Sequence, residues 1–424
     1  MNTAYDVIVV GGGTAGVVAA VQAGRAGART LLVEKNGMLG GTMTVAGVNA
    51  PAHFFAWGRQ VIAGIGWELM CRTWEETGQP IPTGDYTVDQ PRPRHLTMDK
   101  AVFAALCDRA VLDAGADLLF HAMPAAAAFE NEAWTLTVCT KTGLQPVRTK
   151  VLIDATGDAN VVALAGLPLE RPEVVQPASL IMRCSGFDPE MLDLPALKAA
   201  ADAAIAAGEL KSTDVSWSDN GPIDFLRRYG RNANHFRAHG AETSEGKSAL
   251  EIEARQAMLR TLRFMKQQPG LENFHIDWIC PEAGIRETAT IKGKATVTTA
   301  EYEAGKRYDD ALCNAFYSVD EHLNDGKGGN YRTLKPGTVP TIPRGALLPA
   351  GSRFLIVAGR CLSSEREANS ALRVESPCMA MGQAAGAMAA LSARTGLDPE
   401  ELPLEDIRSL LREHGAIVPD YKDA

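Results

Sequence analysis

Tyr317, Asp320 and His322 stand in a Y-x-x-D-x-H pattern. On an extended segment the side chains of Asp320 and His322 face the same way. A carboxylate beside an imidazole orients it as a general base; the same two residues would equally make a surface pair. Upstream, Arg286 and Glu287 sit in GIRETATIKG, from Gly284 to Gly293. A guanidinium aimed into a cleft binds a carboxylate bidentately. The alternative is an internal Arg–Glu salt bridge, the more so for Glu287. No local spacing assembles three tetrahedral metal ligands, so no metal is expected. The eight cysteines are scattered, and none forms a C-x-x-C pair. That excludes a dithiol redox centre and a simple zinc site.

Such residues need a frame, and the frame starts at the first strand. Tyr5 to Glu34 reads as strand, glycine-rich turn, helix and second strand. Val7 to Val10 are apolar and β-branched, as a buried parallel strand requires. Gly11, Gly13 and Gly16 fill a G-x-G-x-x-G spacing. The first glycine permits the tight turn, the second lets backbone approach a pyrophosphate, and the third lets the helix pack closely. The helix N-terminus offers free N–H groups to phosphates. Thr30 to Val33 forms the next strand, and Glu34 follows it, placed to accept bonds from ribose hydroxyls. A dinucleotide binds here, and the unit alone fits NAD or FAD.

Two further segments favour FAD. VLIDATGDA, beginning at Val151, runs an apolar strand into a small-residue turn. Val357 to Ala390 carries Ser376-Pro377, which can open a helix, and Gly382, Ala384, Ala385 and Gly386, which leave one helix surface bare. With GGT at Gly40 to Thr42, GIRETATIKG, YSVDEH at Tyr317 to His322, IPRGALLP and AGR…MGQAAG, these segments make the chain resemble the FAD-dependent oxidoreductases of the glutathione-reductase-like superfamily. The resemblance covers most of the chain. It implies an α/β fold: a Rossmann-type FAD-binding domain, parallel sheet plus β-meander, with an inserted α+β substrate domain.

The resemblance implies cofactor contacts residue by residue. Gly11, Gly13, Thr14, Ala15 and Gly16 would hold the pyrophosphate, and Glu34 and Lys35 the adenosine ribose. Gly40, Gly41 and Thr42 would lie along pyrophosphate and flavin, and Ala155, Thr156 and Gly157 near the adenosine end. Gly359, Arg360, Cys378, Met379, Gly382 and Gln383 would face the flavin. The last helix would aim its N-terminus at the flavin N1/C2=O edge, favouring the anionic reduced form. Pro124 departs from the pattern, because it has no N–H to give an adenine. Cys361 and Cys378 fall in flavin-proximal segments, where a covalent thioether is conceivable. His53, in NAPAHFFAWG, would lie close to the flavin and take a proton or hold a substrate oxygen; a structural histidine beside Phe54 and Phe55 is the alternative. Arg344, in IPRGAL, replaces an aromatic common in relatives and suggests an anionic substrate, with Arg183 adding to it.

Domain bounds are expected at 1–166 and 347–424 for the FAD-binding domain and 167–346 for the inserted one. Strands are expected at Ala178 to Cys184, Phe274 to Ile279 and Ala289 to Thr298, and helices at Asp99 to Ala114, Pro189 to Ala207 and Glu245 to Gln267. Ala125 to Val151 reads as the meander. Trp217 to Gly246 lacks periodicity and reads as a surface loop or lid. The tail from Val418 reads as frayed.

The 424 residues carry a net charge of −9 and are 46% hydrophobic. That composition suits a globular core and disfavours nucleic acid or anionic membrane as partners. The absence of a basic leader and of a long apolar run points to a cytoplasmic protein without a membrane span. The expected activity is hydride transfer between flavin N5 and a small polar, carboxylate-bearing substrate, of dehydrogenase or oxidase type. A fumarate-reductase-like C=C reductase is the alternative enzyme, and a flavin-bearing electron-transfer or structural subunit the alternative of another class. No second G-x-G-x-x-G unit offers a built-in NAD(P)H site, so an external electron acceptor or donor is implied. A homo-oligomer is possible.

Overall fold

The computed structural model describes residues 3–51, 53–83, 97–216, 218, 220–324 and 329–419. Residues 420–424 of the expected frayed tail lie outside them, as does Trp217. The central sheet is built on β1 (Ala4–Val10), whose Val7, Ile8, Val9 and Val10 are all buried. Parallel neighbours flank it: β2 (Thr30–Val33) on one side and β6 (Gly143–Asp154) on the other. Beyond β2 lies β3 (Asp117–Leu119), also parallel. Val10 pairs with both Val33 and Asp154. Three strands thus end at one level, so Gly11, Glu34 and Ala155 emerge on the same edge of the sheet, where ligands of such folds bind.

β6 belongs to two structures. Its first half pairs antiparallel with β5 (Ala133–Thr140), which pairs with β4 (Met123–Glu130), completing the expected meander. Its last three residues pair parallel with β7 (Leu355–Val357). Two helices pack beside this sheet, α1 (Thr14–Arg25) and α2 (Glu375–Thr395). A Cβ added to Gly382 or Gly386 would run into the backbone carbonyl of Ala15 or Ala19. The small residues of α2 therefore exist to let two helix backbones touch. Nearly all of α2 is buried, as an all-round apolar helix must be.

The turn after β6 is tied by one buried carboxylate. Asp154 accepts from Thr156 N–H at 3.0 Å, Thr156 Oγ1 at 2.7 Å, Val161 N–H at 2.8 Å and Val162 N–H at 3.1 Å. Asp154→Ala would orphan four donors and is expected to cost about 2–4 kcal/mol. A lowered urea midpoint at unchanged slope checks this. Asp154→Asn keeps one acceptor and should cost less.

Residues from Ile291 to Ile342 pack into the same hydrophobic cluster as the sheet, although they fall within the expected inserted region. Two smaller clusters, spanning Met182 to Phe274 and Val175 to Ala283, form the remainder. There the strands Met182–Ser185 and His275–Ile279 pair antiparallel, and helices run over Leu194–Ala206 and Ser244–Met265. Two expectations fail. Ala289 to Thr298 yields only the short strand Thr290–Ile291, because its N–H groups bond to loop carbonyls of Gly345, Leu348 and Ser363 instead of a strand. The segment read as a surface loop holds a helix, Pro222–Arg227, and buries Phe225, Ala233, Asn234, His235 and Phe236. It docks through a side chain: Asn234 accepts from Leu180 N–H and donates to Leu180 C=O, each at 2.9 Å. An amide that imitates a strand neighbour leaves no hydrophobic period to read. Among the described residues no helix is long and apolar enough to cross a membrane, and no cluster could hold a metal ion.

Candidate functional site

The glycine turn after β1 is a cradle open on one side. Gly11 sits at φ +101°, and a Cβ there would come within 2.5 Å of the Ala155 carbonyl oxygen. At Gly16 a Cβ would run into the Gly11 carbonyl oxygen. Gly13 is different: an added Cβ meets nothing within 4 Å. Its open face looks into a cavity of about 820 Å³. A second turn stacks on this one. Gly40 N–H donates to Gly12 C=O at 2.8 Å, and both Gly40 and Gly41 have positive φ. A Cβ on Gly41 would fall 2.8 Å from Gly13 Cα.

Glu34 accepts from Gly12 N–H at 2.6 Å and Asn36 N–H at 2.8 Å, and borders the cavity. Burial pushes its carboxyl above the usual range, against those two bonds. Lys35 also borders the cavity and is ion-paired with Glu282. Pro124 lies at the same end. Gly11, Gly13, Thr14, Ala15, Gly41 and Thr42 form the cavity wall, and Ala155, Thr156 and Gly157 face it from the end of β6. Gly359, Arg360 and Cys378 close it from β7 and α2. Arg360 is ion-paired with Asp158. The Cys378 thiol donates to Arg373 C=O at 3.2 Å and is pushed up to about 12 by burial. Cys361 is fully buried and does not border the cavity.

Five expected contacts frame the cavity without facing it. Gly16 and Gly40 shape the two turns. Met379, Gly382 and Gln383 lie inside the protein: Gly382 touches α1, and Gln383 bonds Ile65 N–H, Gln22 and His414 C=O. The helix rises ~1.5 Å per residue, so only its first turn reaches the cavity. The open Gly13 face, the ribose-side carboxylate and the cavity's size fit an FAD molecule.

The far end of the cavity gathers residues from several elements. His53, Arg286, Tyr317, Asp320 and His322 all border it. The His53 ring stacks on Tyr317 with centroids 5.5 Å apart, and its carbonyl accepts from Ser376 Oγ at 2.7 Å. Tyr317 is pinned by buried Tyr302, whose hydroxyl donates to Tyr317 C=O and accepts from Tyr317 N–H. Asp320 and His322 share a strand, Val319–His322, and a face; His322 Nε2 lies 3.5 Å from Asp320 Oδ1. Burial would raise the Asp320 carboxyl, but His322, Arg373 and Arg286 outweigh it and hold it low.

Arg286 donates to Pro177 C=O at 2.7 Å, Ser179 Oγ at 3.0 Å and Asn232 Oδ1 at 3.2 Å. Burial, and then Arg373, bring its guanidinium down to about 10. Glu287 does not pair with it. That carboxylate binds Arg366 at 3.0 Å and accepts from Gln176 N–H. Arg373, which the sequence did not single out, borders the cavity too and donates to Gln176 Oε1 at 3.2 Å and Asp320 C=O at 3.3 Å. Neither Arg286 nor Arg373 forms an ion pair with a carboxylate among the described residues. In the sequence Arg373 is one charge among several, with Glu365, Arg366, Glu367 and Glu375 close by, and nothing local marks it.

Arg344 falls elsewhere. Its guanidinium donates to Leu402 C=O at 2.9 Å, anchoring a C-terminal loop, and does not border the cavity. Arg183 is half-exposed and pairs with Asp277. The anionic-substrate expectation placed on Arg344 therefore moves to Arg286 and Arg373.

Behind His322 stands His235, with ring centroids 5.0 Å apart. Burial, and then Arg286, lower His322 to about 4 and His235 to about 2. Both rings are neutral at pH 7. An unfolded chain protonates each near ~6.5. Between that value and about 4 the unfolded state holds more protons, so stability is lost as pH falls through the window. The expected slope is up to ~1.4 kcal/mol per pH unit for each histidine. Urea midpoints measured against pH should show it, with a shallower fall in His235→Gln.

A family model described as FAD dependent oxidoreductase matches residues 6–411. Thiamine thiazole synthase of Saccharolobus islandicus is 28% identical over 184 residues, covering 41% of this chain and 62% of that protein. Dihydrolipoyl dehydrogenase of Trypanosoma brucei brucei is 60% identical over 38 residues, 9% of this chain and 8% of that one. The chain thus spans less than two thirds of the length of these curated relatives. Among solved structures, a geranylgeranyl bacteriochlorophyll reductase-like protein from Thermoplasma acidophilum aligns over 97% of this chain and 83% of its own, at 14% identity and a TM-score of 0.45. The match across residues 6–411 joins the glycine cradle, the cavity and α2 in one pattern: the chain belongs to the FAD dependent oxidoreductase family, and FAD is its cofactor.

Proposed function

We propose that the chain oxidises or reduces a small polar substrate whose carboxylate is bound by Arg286 and Arg373. One observation carries this: two guanidiniums border the same cavity end, and neither is ion-paired with a carboxylate of the described residues. A carboxylate ligand would complete both with charge-assisted bonds. FAD supplies the hydride chemistry, at flavin N5. The chain's own residues orient the substrate and manage a proton. His322, neutral and beside Asp320, is placed to take one. His53, stacked on Tyr317, holds a substrate oxygen. In this reading residues 1–166 and 347–424 hold the cofactor and 167–346 supply Arg286, Asp320 and His322, while Arg373 comes from the cofactor side. An external electron acceptor or donor completes the cycle.

The test mixes oxidised holoprotein anaerobically with hydroxy, amino and saturated acids while absorbance near ~450 nm is followed, where flavin electronics report. Bleaching by such an acid supports the dehydrogenase or oxidase type. No response to any carboxylate, with neutral alcohols or amines active instead, rejects it. A second reading, C=C reduction, is favoured by Arg286. Lowered to about 10, its guanidinium yields a proton more readily than an exposed one. Recovery of colour in photoreduced protein only with an unsaturated acid would select it.

A further inference from the structure

Every acceptor that holds the two cavity arginines is uncharged. Arg286 rests on a backbone carbonyl, a serine hydroxyl and the Asn232 amide. Arg373 rests on the Gln176 amide and a backbone carbonyl. We infer that Gln176 and Asn232 are positioning residues that hold these guanidiniums through neutral amides, add no carboxylate to the Asp320 already in the cavity, and so leave positive charge for the substrate anion. The inference rests on the anionic-substrate reading above and adds the residues that set the site's charge.

Packing alone would not choose amides here. Gln176 is fully buried, and its Oε1 accepts from both Arg373 and His322 N–H, each at 3.2 Å. Its Nε2 finds no partner among the described residues. The nitrogen is therefore not kept for a bond it donates. A glutamate of the same shape would keep both accepted bonds and gain an ion pair with Arg373. It would also cancel the charge that an incoming carboxylate needs. The same holds at Asn232. Its backbone is at φ +43°, a conformation open to asparagine, aspartate and glycine. Aspartate would fit there as well as asparagine, and would neutralise Arg286. Elsewhere the chain pairs partly buried arginines with buried acids, as in Arg366 with Glu287 and Glu321, and Arg260 with Asp214. Its restraint at these two positions is local.

The experiment compares isosteric acids with neutral truncations in the FAD-loaded protein. Gln176→Glu is set against Gln176→Met, and Asn232→Asp against Asn232→Gly. Acetate, lactate, succinate and benzoate are titrated as probes, read by flavin absorbance and calorimetry, with thermal midpoints recorded. A merely structural role makes Met and Gly the worse substitutions, because they lose hydrogen bonds. Charge reservation reverses that order: Glu and Asp should weaken probe binding at least 10-fold more than Met and Gly, at equal or higher midpoints. Acid variants that bind as well as the neutral ones would overturn the inference while leaving the anion site intact. Should wild type bind no probe, and Arg286→Met and Arg373→Met change nothing, the anionic-substrate reading itself falls, and the inference with it. The two positions lie on separate segments, so a folding failure at one leaves the other to decide.

Discussion

Gly13→Val is expected to give a folded, colourless protein. The added side chain meets no protein atom within 4 Å at its Cβ. The backbone there is extended, with φ −72° and ψ −174°, which valine adopts without strain. As N-cap of α1, glycine contributes no side-chain bond for valine to lose. The branched methyls instead fill the space over the turn, where a pyrophosphate must approach the backbone. FAD affinity should fall by at least ~100-fold, roughly 3 kcal/mol. The apoprotein's unfolding free energy in urea should stay within about 1 kcal/mol of wild-type apoprotein. Flavin absorbance after reconstitution and the apoprotein midpoint are the two measurements. Gly16→Val makes the contrast, since its Cβ would run into the Gly11 carbonyl oxygen; that variant should lose fold and flavin together. If Gly13→Val stays yellow, the cavity above it is not where the pyrophosphate lies.

Arg286→Met and Arg373→Met should each lower kcat/KM for a carboxylate substrate by roughly 10²- to 10³-fold. Truncating one partner of a buried, hydrogen-bonded charge pair costs about 2–5 kcal/mol. The two need not act alike. Arg373, on the α2 side and bonded to Asp320 C=O, is expected to appear chiefly in KM. Arg286, whose charge acts on His322 more strongly than that of Arg373, should also shift the pH profile. Without it His322 loses a repelling cation, so its pKa rises and the acid limb of kcat/KM moves to higher pH. Steady-state rates against pH, with FAD content checked, decide between these outcomes. An unchanged kcat/KM in both variants would remove the anionic substrate.

What could be read from the sequence was local and repeated a known spacing. Val7 to Gly16 announces itself because strand, turn and helix follow within a dozen residues, and each glycine answers a backbone constraint. The meander was legible for the same reason. The substrate end was harder, since its members come from distant segments. Asp320 and His322 share a strand and could be paired by counting. Arg373 has no such neighbour: it caps the helix Arg366–Leu372, and its bonds to Gln176 Oε1 and Asp320 C=O tie it to distant segments. Arg344 shows the opposite failure, because nothing in IPRGAL says that a C-terminal loop passes close enough for Leu402 C=O to take its charge. Gln383 was expected at the cofactor because its segment is; its depth along α2, about 12 Å beyond Glu375, is a matter of helix rise. Asn234 hid a docked segment behind a loop-like composition by spending its amide as backbone.

α1 and α2 touch through Gly382 and Gly386, but they are separated by most of the chain, and β7 joins β6 across some 200 residues. During synthesis the first strand–turn–helix therefore emerges long before the surface that covers it. At ~5–20 residues per second, roughly 20–70 s pass between α1 and α2 leaving the ribosome. For that interval the alanine-rich face of α1 has no partner from α2, and the cavity has no wall from β7 or α2. Cofactor capture is thus a late event in the life of each molecule. Supply of FAD to a growing chain cannot hasten it, and a chain stalled before β7 presents a bare helix face to chaperones and proteases.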